Sequence, residues 1–213
     1  MKIKKLHLIL SVWLVSFVFW FVYRYFIHTS EWIDEIIFKP LIFITPVLVY
    51  LKHKEHVSFD KLGLRLVPLN KLFGWGFGLG SVLVLESLII DVTKNKHLNV
   101  EFFSATAVAT NLFISLATAF SEEILYRGFL MQQFTKWLKN IYAANCISAL
   151  LFCIGHVPIG IFVLHFSTWE LISYLLLVFI LGVFDGYVYQ KTNTVYSPII
   201  VHTLWNFSNT LFV

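Results

Sequence analysis

The sequence predicts an all-α fold: a polytopic membrane helical bundle with about seven transmembrane helices. Of the 213 residues, 58% are hydrophobic and 13% are charged, and the mean hydropathy is +0.78. Soluble domains are typically about 45–50% apolar and about 25% charged. The apolar residues form runs of helix length and do not alternate in the short segments typical of a membrane β-barrel. We therefore expect one structural unit embedded in a lipid bilayer.

Short polar segments separate the predicted spans. The first apolar run follows Lys2, Lys4 and Lys5, and it is longer than the roughly 7–15 apolar residues of a signal peptide. No cleavage pattern of small residues follows it, so it is predicted to be retained. Residues 28–39 are predicted to form a polar loop. The interrupted pattern at 158–170 leaves six or eight spans as alternatives. The predicted helices cover about 6–27, 36–51, 72–91, 103–131, 141–164, 171–189 and 194–212.

The basic residues predict an orientation. Eleven Lys and Arg residues fall on the side of the N-terminus, five of them in the loop 52–71, and three fall on the other side: Lys39, Lys94 and Lys96. Because cytoplasmic loops carry the excess of Lys and Arg, the N-terminus is expected to be cytoplasmic. The pI near 9.0 then reflects orientation and does not indicate a nucleic-acid partner. The Lys-, Asn- and Phe-rich composition favours a bacterial cell membrane.

One charged motif interrupts an apolar helix. The stretch 121–128 reads SEEILYRG, and residues 102–121 before it contain no Asp, Glu, Lys or Arg. Ionisable groups at membrane depth cost roughly 2.5–3.5 kcal/mol each, so they usually mark a functional site. Glu123 and Arg127 are spaced i,i+4 and can pair, whereas Glu122 points about 100° away. A purely structural ion pair explains this stretch equally well when it is considered alone.

Two later helices carry histidines at membrane depth. Phe152 and His156 are spaced i,i+4, and so are His202 and Asn206. A lone histidine in a membrane helix is more often a hydrogen-bonded packing residue than a catalytic one. Two histidines, an asparagine and an acidic pair on three helices instead predict one buried polar pocket. We expect Glu122, His156, His202 and Asn206 to lie around it.

Such a pocket is suited to hydrolysis. A buried carboxylate can act as a base on water, imidazole can move a proton, and an amide can stabilise an oxyanion. Glu122, His156 and His202 could equally bind Zn²⁺ and leave one position for water. The residues by themselves leave both possibilities open, so zinc is a possible cofactor and no cofactor is certain.

The ordered motifs resemble those of a known family. Glu122-Glu123-x-x-x-Arg127, Phe152-x-x-x-His156 and His202-x-x-x-Asn206 are similar to the three motifs of the CPBP family, the CAAX-prenyl-protease and bacteriocin-processing or immunity proteins, also called Abi. The lead-in to the last motif, residues 191–202, is similar as well, although Asn193 stands where the family often has glycine. The resemblance covers about residues 100–210.

The resemblance implies an intramembrane endopeptidase whose site opens toward the cytosol. Glu122 would be the general base on water, His156 would assist, and His202 and Asn206 would stabilise the oxyanion. The supporting residues would be Glu123, Arg127 and Phe152. The family's better-supported mechanism depends on glutamate without bound metal; a metal, if present, would be held by Glu122, His156 and His202. Residues 1–100 would then be N-terminal membrane helices with a basic cytosolic loop at 52–71, and residues 101–213 the catalytic core of about four spans.

Other classes of site fit the sequence less well. There is no His-Glu-x-x-His and no Gly-x-Ser-x-Gly motif. Asp185 lacks the Gly-x-Gly-Asp pattern of aspartyl intramembrane proteases and is predicted to be a polar residue at a helix end. Cys146 and Cys153, roughly 10 Å apart by helical rise, are predicted not to form a disulfide.

The substrate would be a membrane-associated peptide or protein: a prenylated C-terminus, a peptide pheromone or a bacteriocin leader. A bacterial chain would favour a peptide or self-immunity role. The alternatives are a non-catalytic membrane immunity or scaffold protein, and a small transporter with a proton relay.

Overall fold

The computed structural model describes residues 2–27, 29–96 and 104–211. These ranges contain seven long helical segments and no strand, so the predicted all-α bundle is confirmed. Five segments are long and apolar enough to cross a membrane. Their lipid-facing residues include Leu14, Leu85 and Leu176, each more than half exposed. The segments are α1 (Lys2–Phe26), α2 (31–54), α3 (69–95), α4 (Ala105–Leu138), α5 (Ile141–Phe162), α6 (Thr168–Thr192) and α7 (Tyr196–Leu211).

Helix α4 lies at the centre of the bundle. It contacts α7 on one side and α5 on another, while α6 packs along α5 and α3 packs along α7. Gly76 and Gly80 of α3 face Ile200 and Leu204 of α7, and a Cβ at Gly80 would lie 2.5 Å from Leu204 Cδ1. Small residues therefore allow close packing of α3 on α7. Helices α1 and α2 pack on each other and against α4.

Two segments differ from the predicted pattern. The predicted polar loop at 28–39 is helical from Glu31 onward, because its acidic residues Asp34 and Glu35 are buried and paired with Arg24 of α1. His28 lies outside the described residues. Helix α5 bends at His156, and a short helix, Val157–Phe162, follows before the chain turns into α6. Pro158 lies in the first turn of that short helix, where a proline is tolerated.

The two ends of the bundle differ in charge. At the basic end, the loop after α2 packs onto α4 and onto the turn before α7, where Val195 N donates to Gly63 O at 2.9 Å. Gly128 of α4 permits this approach, because a Cβ there would lie 2.2 Å from Leu62 O. At the opposite end, called here the cavity end, α1 ends, α2 begins and Phe162 of α5 packs against Tyr25. Cys146 and Cys153 are free, as predicted.

Candidate active site

The sequence-predicted polar residues surround one cavity. It has a volume of about 230 Å³ and is bounded by α2, α4, α5, α6 and α7. Glu122, His156, His202 and Asn206 all line it, so their predicted convergence is confirmed. Glu122 is only 2% exposed although it lines this cavity.

The two imidazoles face the same oxygen of Glu122. His202 Nε2 lies 3.6 Å from Glu122 Oε2, and His156 Nε2 lies 3.8 Å from it. Glu122 Oε2 is buried and accepts no hydrogen bond from any residue that the structure describes. These distances are longer than direct hydrogen bonds and leave room for one small bridging donor such as water.

The other ring nitrogens fix the tautomers. His156 Nδ1 lies 2.9 Å from the carbonyl oxygen of Phe152, which can only accept, so Nδ1 carries the hydrogen. His202 Nδ1 lies 3.0 Å from the Glu123 carboxylate and donates to it for the same reason. In the neutral form, each histidine therefore presents an unprotonated Nε2 to the space beside Glu122 Oε2.

Glu123 binds the Nδ1 atom of His202, and Arg127 in turn binds Glu123. Arg127 pairs with Glu123 Oε1 at 2.5 Å, as the i,i+4 spacing predicts, and it also donates to Gly182 O at 2.9 Å. The Phe152 ring lies between the groups: its centroid is 4.7 Å from the Arg127 guanidinium carbon and 5.7 Å from the His202 ring. These contacts orient the imidazole and leave its Nε2 to face Glu122.

Asp185 belongs to this cluster, and the prediction of a polar helix-end residue is wrong. It is fully buried, and its Oδ2 lies 3.7 Å from His202 Nδ1 and 3.8 Å from Arg127. Helix α6 continues to Thr192, three residues beyond the predicted end, which places Asp185 inside the bundle. The feature of the sequence that could have indicated its burial is that Asp185 is the single carboxylate in the apolar run 171–189.

Lys39 is the second site residue that sequence reasoning missed. It was counted as an outer-loop charge, yet it is 1% exposed, and its Nζ lies 3.0 Å from Glu122 Oε1. Lys39 also pairs with Glu35 one helical turn earlier. The i,i+4 spacing of Glu35 and Lys39 was the available signal, but nothing in the sequence indicated that α2 packs against Glu122.

Stretches of π-helix adjoin the charged residues on both helices. In α4 the π-helical stretch Ile124–Met131 begins directly after Glu123, and in α2 the stretch Asp34–Phe38 ends directly before Lys39. A π-helical turn shifts the angular position of the residues beyond it, and such turns often occur at functional sites. Here they rotate neighbouring charges into one buried cluster.

The residues fit a metal ion poorly. Among the described residues, the possible ligands whose donor atoms all lie within 4.8 Å of one another are Glu123, Asp185 and His202. Arg127 already places a guanidinium against these carboxylates. The predicted ligand set centred on Glu122 has the ammonium of Lys39 beside it. A divalent ion at either place would lie against a fixed positive charge, so these residues do not form a suitable metal site.

The cavity opens at the end away from the basic loops. Its exposed lining residues are Glu31, in the first turn of α2, and Thr210, in the last turn of α7. Both belong to the cavity end. A cytoplasmic N-terminus and a site that opens toward the cytosol are therefore incompatible expectations, because they require opposite ends of the bundle.

Comparison with family models identifies the C-terminal segment. Residues 104–208 match the family described as type II CAAX prenyl endopeptidase Rce1-like. The predicted resemblance to the CPBP family of CAAX proteases is thereby confirmed, and the Rce1-like segment contains all the predicted site residues but not Lys39. The family indicates a protease embedded in the membrane. Comparisons with curated proteins and with solved structures gave no match.

Proposed function

We propose that the protein is an intramembrane endopeptidase that hydrolyses a peptide bond with water activated by Glu122. The observation that supports this most directly is the position of Glu122 Oε2. It faces the cavity without a hydrogen bond from any described residue, with two imidazole Nε2 atoms 3.6 and 3.8 Å away. Three acceptors around one point favour a molecule that donates hydrogen bonds, and water is the donor that hydrolysis requires.

In the proposed reaction, Glu122 Oε2 takes a proton from water while the water oxygen bonds to the scissile carbonyl carbon. The tetrahedral intermediate then collapses, the C–N bond breaks, and the proton passes to the departing amine. His156, with a free Nε2 beside Glu122, assists in moving this proton. Each step stays within one small volume enclosed by the bundle, where competing water is limited.

The oxyanion would be stabilised by His202 and Asn206. The Asn206 amide lines the cavity and can donate without any change of protonation. Because His202 Nδ1 is committed to Glu123, His202 donates from Nε2 only as an imidazolium. Asn206 can therefore stabilise the oxyanion without a proton transfer, whereas His202 must first be protonated.

The substrate is proposed to enter from the non-cytoplasmic side. The exposed lining residues Glu31 and Thr210 lie at the cavity end. With Arg24, Lys39 and Arg127 all buried in ion pairs, the remaining Lys and Arg residues number eleven at the basic end against Lys94 and Lys96 at the other. The positive-inside rule then predicts that the basic end is cytoplasmic. This favours an exported or outer-leaflet peptide over a cytosolic prenylated C-terminus.

Matched cysteine substitutions test the side of entry. Ser30 and Ser58 are both exposed, one at each end of the bundle. In a background with Cys146→Ser and Cys153→Ser, we expect Ser30→Cys to react with a membrane-impermeant maleimide in intact cells and Ser58→Cys only after permeabilisation. The reverse pattern, or equal labelling of both, would overturn the proposed entry side and leave the proposed chemistry untouched.

Turnover by the purified protein tests the chemistry. The protein in lipid nanodiscs would be incubated with a peptide ending in farnesyl-cysteine, two aliphatic residues and a free carboxylate, and with a library of unmodified apolar peptides. We expect the wild type to cleave at least one of these peptides, with the products identified by mass spectrometry. We expect Glu122→Gln to lower kcat by at least about 10³-fold. Glu86→Gln, an exposed glutamate on α3, is the matched control. Cleavage that persists in Glu122→Gln would overturn the role of Glu122 as the base, and no cleavage of any peptide by the wild type would favour the non-catalytic immunity or scaffold alternative.

A further inference from the structure

Lys39 brings a cation to Glu122 from outside the Rce1-like segment. Its Nζ lies 3.0 Å from Glu122 Oε1, and both side chains are 2% exposed. The matched family segment begins at residue 104, so this contact joins the N-terminal helices to the centre of the site. Lys39 lines the same cavity as Glu122 and both histidines.

A chain of contacts fixes the Lys39 ammonium in place. Lys39 pairs with Glu35, whose Oε1 accepts from Arg24 at 3.0 Å and whose Oε2 accepts from Thr118 Oγ1 at 2.7 Å. The Trp20 ring covers the ammonium, with its centroid 5.2 Å from Nζ. A lysine held on two sides by carboxylates and on a third by an aromatic face has little freedom to move.

We infer that Lys39 is a positioning residue of the active site. By binding Glu122 Oε1, it leaves Oε2 to face the two imidazoles and fixes the rotation of the carboxylate about its last torsion. This inference rests on the proposed function, because it concerns which oxygen of Glu122 acts on water. Misplacement of a reacting group by about 1 Å can cost on the order of 10²-fold in rate, which is the effect expected when the ammonium is lost.

A purely structural role for Lys39 makes a different prediction. If Lys39 only neutralised Glu35, removing both charges together would restore both the thermal stability and kcat. The informative variants are therefore Lys39→Met, Lys39→Arg, Glu35→Gln and the double variant Lys39→Met/Glu35→Gln. In the double variant, Arg24 keeps its other partner, Asp34, at 2.5 Å. Thermal unfolding in detergent would report folding separately from turnover.

The four variants are expected to differ in their effects on kcat and on thermal stability. Lys39→Met should unfold at a lower temperature and lose about 10²-fold in kcat with KM changed less than about threefold. The double variant should regain part of the thermal stability, because Glu35 no longer carries an unpaired charge, but it should not regain kcat. Lys39→Arg should recover kcat to within about tenfold of the wild type, because it restores a cation in the same place. Glu35→Gln should keep most of the activity.

The positioning role of Lys39 and the role of Glu122 as the base are tested by different outcomes. These kcat values are measured on whichever peptide the wild type cleaves in a Glu122-dependent manner. A double variant with the kcat of the wild type would overturn the positioning role while leaving Glu122 as the base. Absence of any Glu122-dependent cleavage would overturn the proposed function, and the positioning role with it.

Discussion

Two buried ion networks meet at Glu122, and they come from different parts of the chain. The first, the family-side network, consists of Glu123, Arg127, Asp185 and His202 and lies wholly within residues 104–208. The second, the N-terminal network, consists of Arg24, Asp34, Glu35 and Lys39 and lies wholly before that segment. The family-side network orients the His202 ring, and the N-terminal network holds the Glu122 carboxylate.

The two networks differ in how far sequence motifs indicate their contacts. The family-side contacts include an i,i+4 pair and residues of recognisable motifs, so sequence spacing already indicates them. The decisive N-terminal contact, from Lys39 to Glu122, joins residues 83 positions apart on helices with no shared pattern. A charge inside a membrane is expensive unless paired, so each network needs its own cation. The following predictions test whether the two networks do separate work.

The largest effect is expected when the family-side network loses its cation. Arg127→Met leaves Glu123 and Asp185 buried without a guanidinium, and removal of one partner of a buried pair typically costs about 3–5 kcal/mol. We expect a much lower unfolding temperature in detergent and no detectable turnover. Arg127→Lys is the control and should recover part of the stability but lack the contact to Gly182 O. Wild-type stability in Arg127→Met would show that this network is dispensable.

Asn206 lies outside both networks but lines the same cavity. Asn209, on the same helix, is exposed. If the networks position groups and Asn206 stabilises the oxyanion, Asn206→Ala should lower kcat by about 10²–10³-fold with little change in thermal stability. Asn209→Ala should leave both unchanged. Equal effects of the two substitutions on kcat would remove Asn206 from the proposed mechanism.

Sequence alone predicted most of the fold and part of the site. Apolar runs located the seven long helical segments of the described residues, and five of these segments are long and apolar enough to span a membrane. The i,i+4 motifs predicted the pair Glu123–Arg127 and the convergence on Glu122. Lys39 and Asp185 were misassigned for one physical reason. Whether a charge near a helix end meets water or a buried partner depends on which helix packs there, and periodicity does not contain that information.

The same substitution in the N-terminal network should have a smaller effect. Arg24→Met removes the guanidinium from Asp34 and Glu35, but Arg24 and Asp34 also line a second cavity, at the cavity end of the bundle. Water can partly solvate the carboxylates left behind, so a loss of roughly 1–3 kcal/mol is expected, below that of Arg127→Met. Turnover should fall less than in Lys39→Met, since Lys39 still binds Glu122. A larger destabilisation than in Arg127→Met would reverse the ranking of the two networks.

The smallest effect is expected at the basic end, in a contact remote from both networks. Burial raises the pKa of Glu55, but hydrogen bonds from Lys61 and Gln133 outweigh it, so the pKa lies below its ordinary value of 4.5. A lowered pKa in the folded state means that the ionised carboxylate stabilises the fold above pH 4.5, and that this contribution is lost as the pH falls below that value. Because the Lys61 side chain is 38% exposed and its charge is partly screened by water, Glu55→Gln should cost only about 0.5–1 kcal/mol at pH 7.

Unfolding of wild type and Glu55→Gln in detergent, compared from pH 7 down to pH 3, would measure this contribution. The difference between the two proteins should shrink below pH 4.5, and Lys61→Met should be non-additive with Glu55→Gln at pH 7, because both substitutions remove the same ion pair. Turnover should be unchanged in either variant, since the loop carries no cavity residue. A loss of kcat at neutral pH would mean that the basic end is coupled to the site. The positioning of the active-site groups would then depend on the loop that packs between α2 and α4 as well as on the two networks.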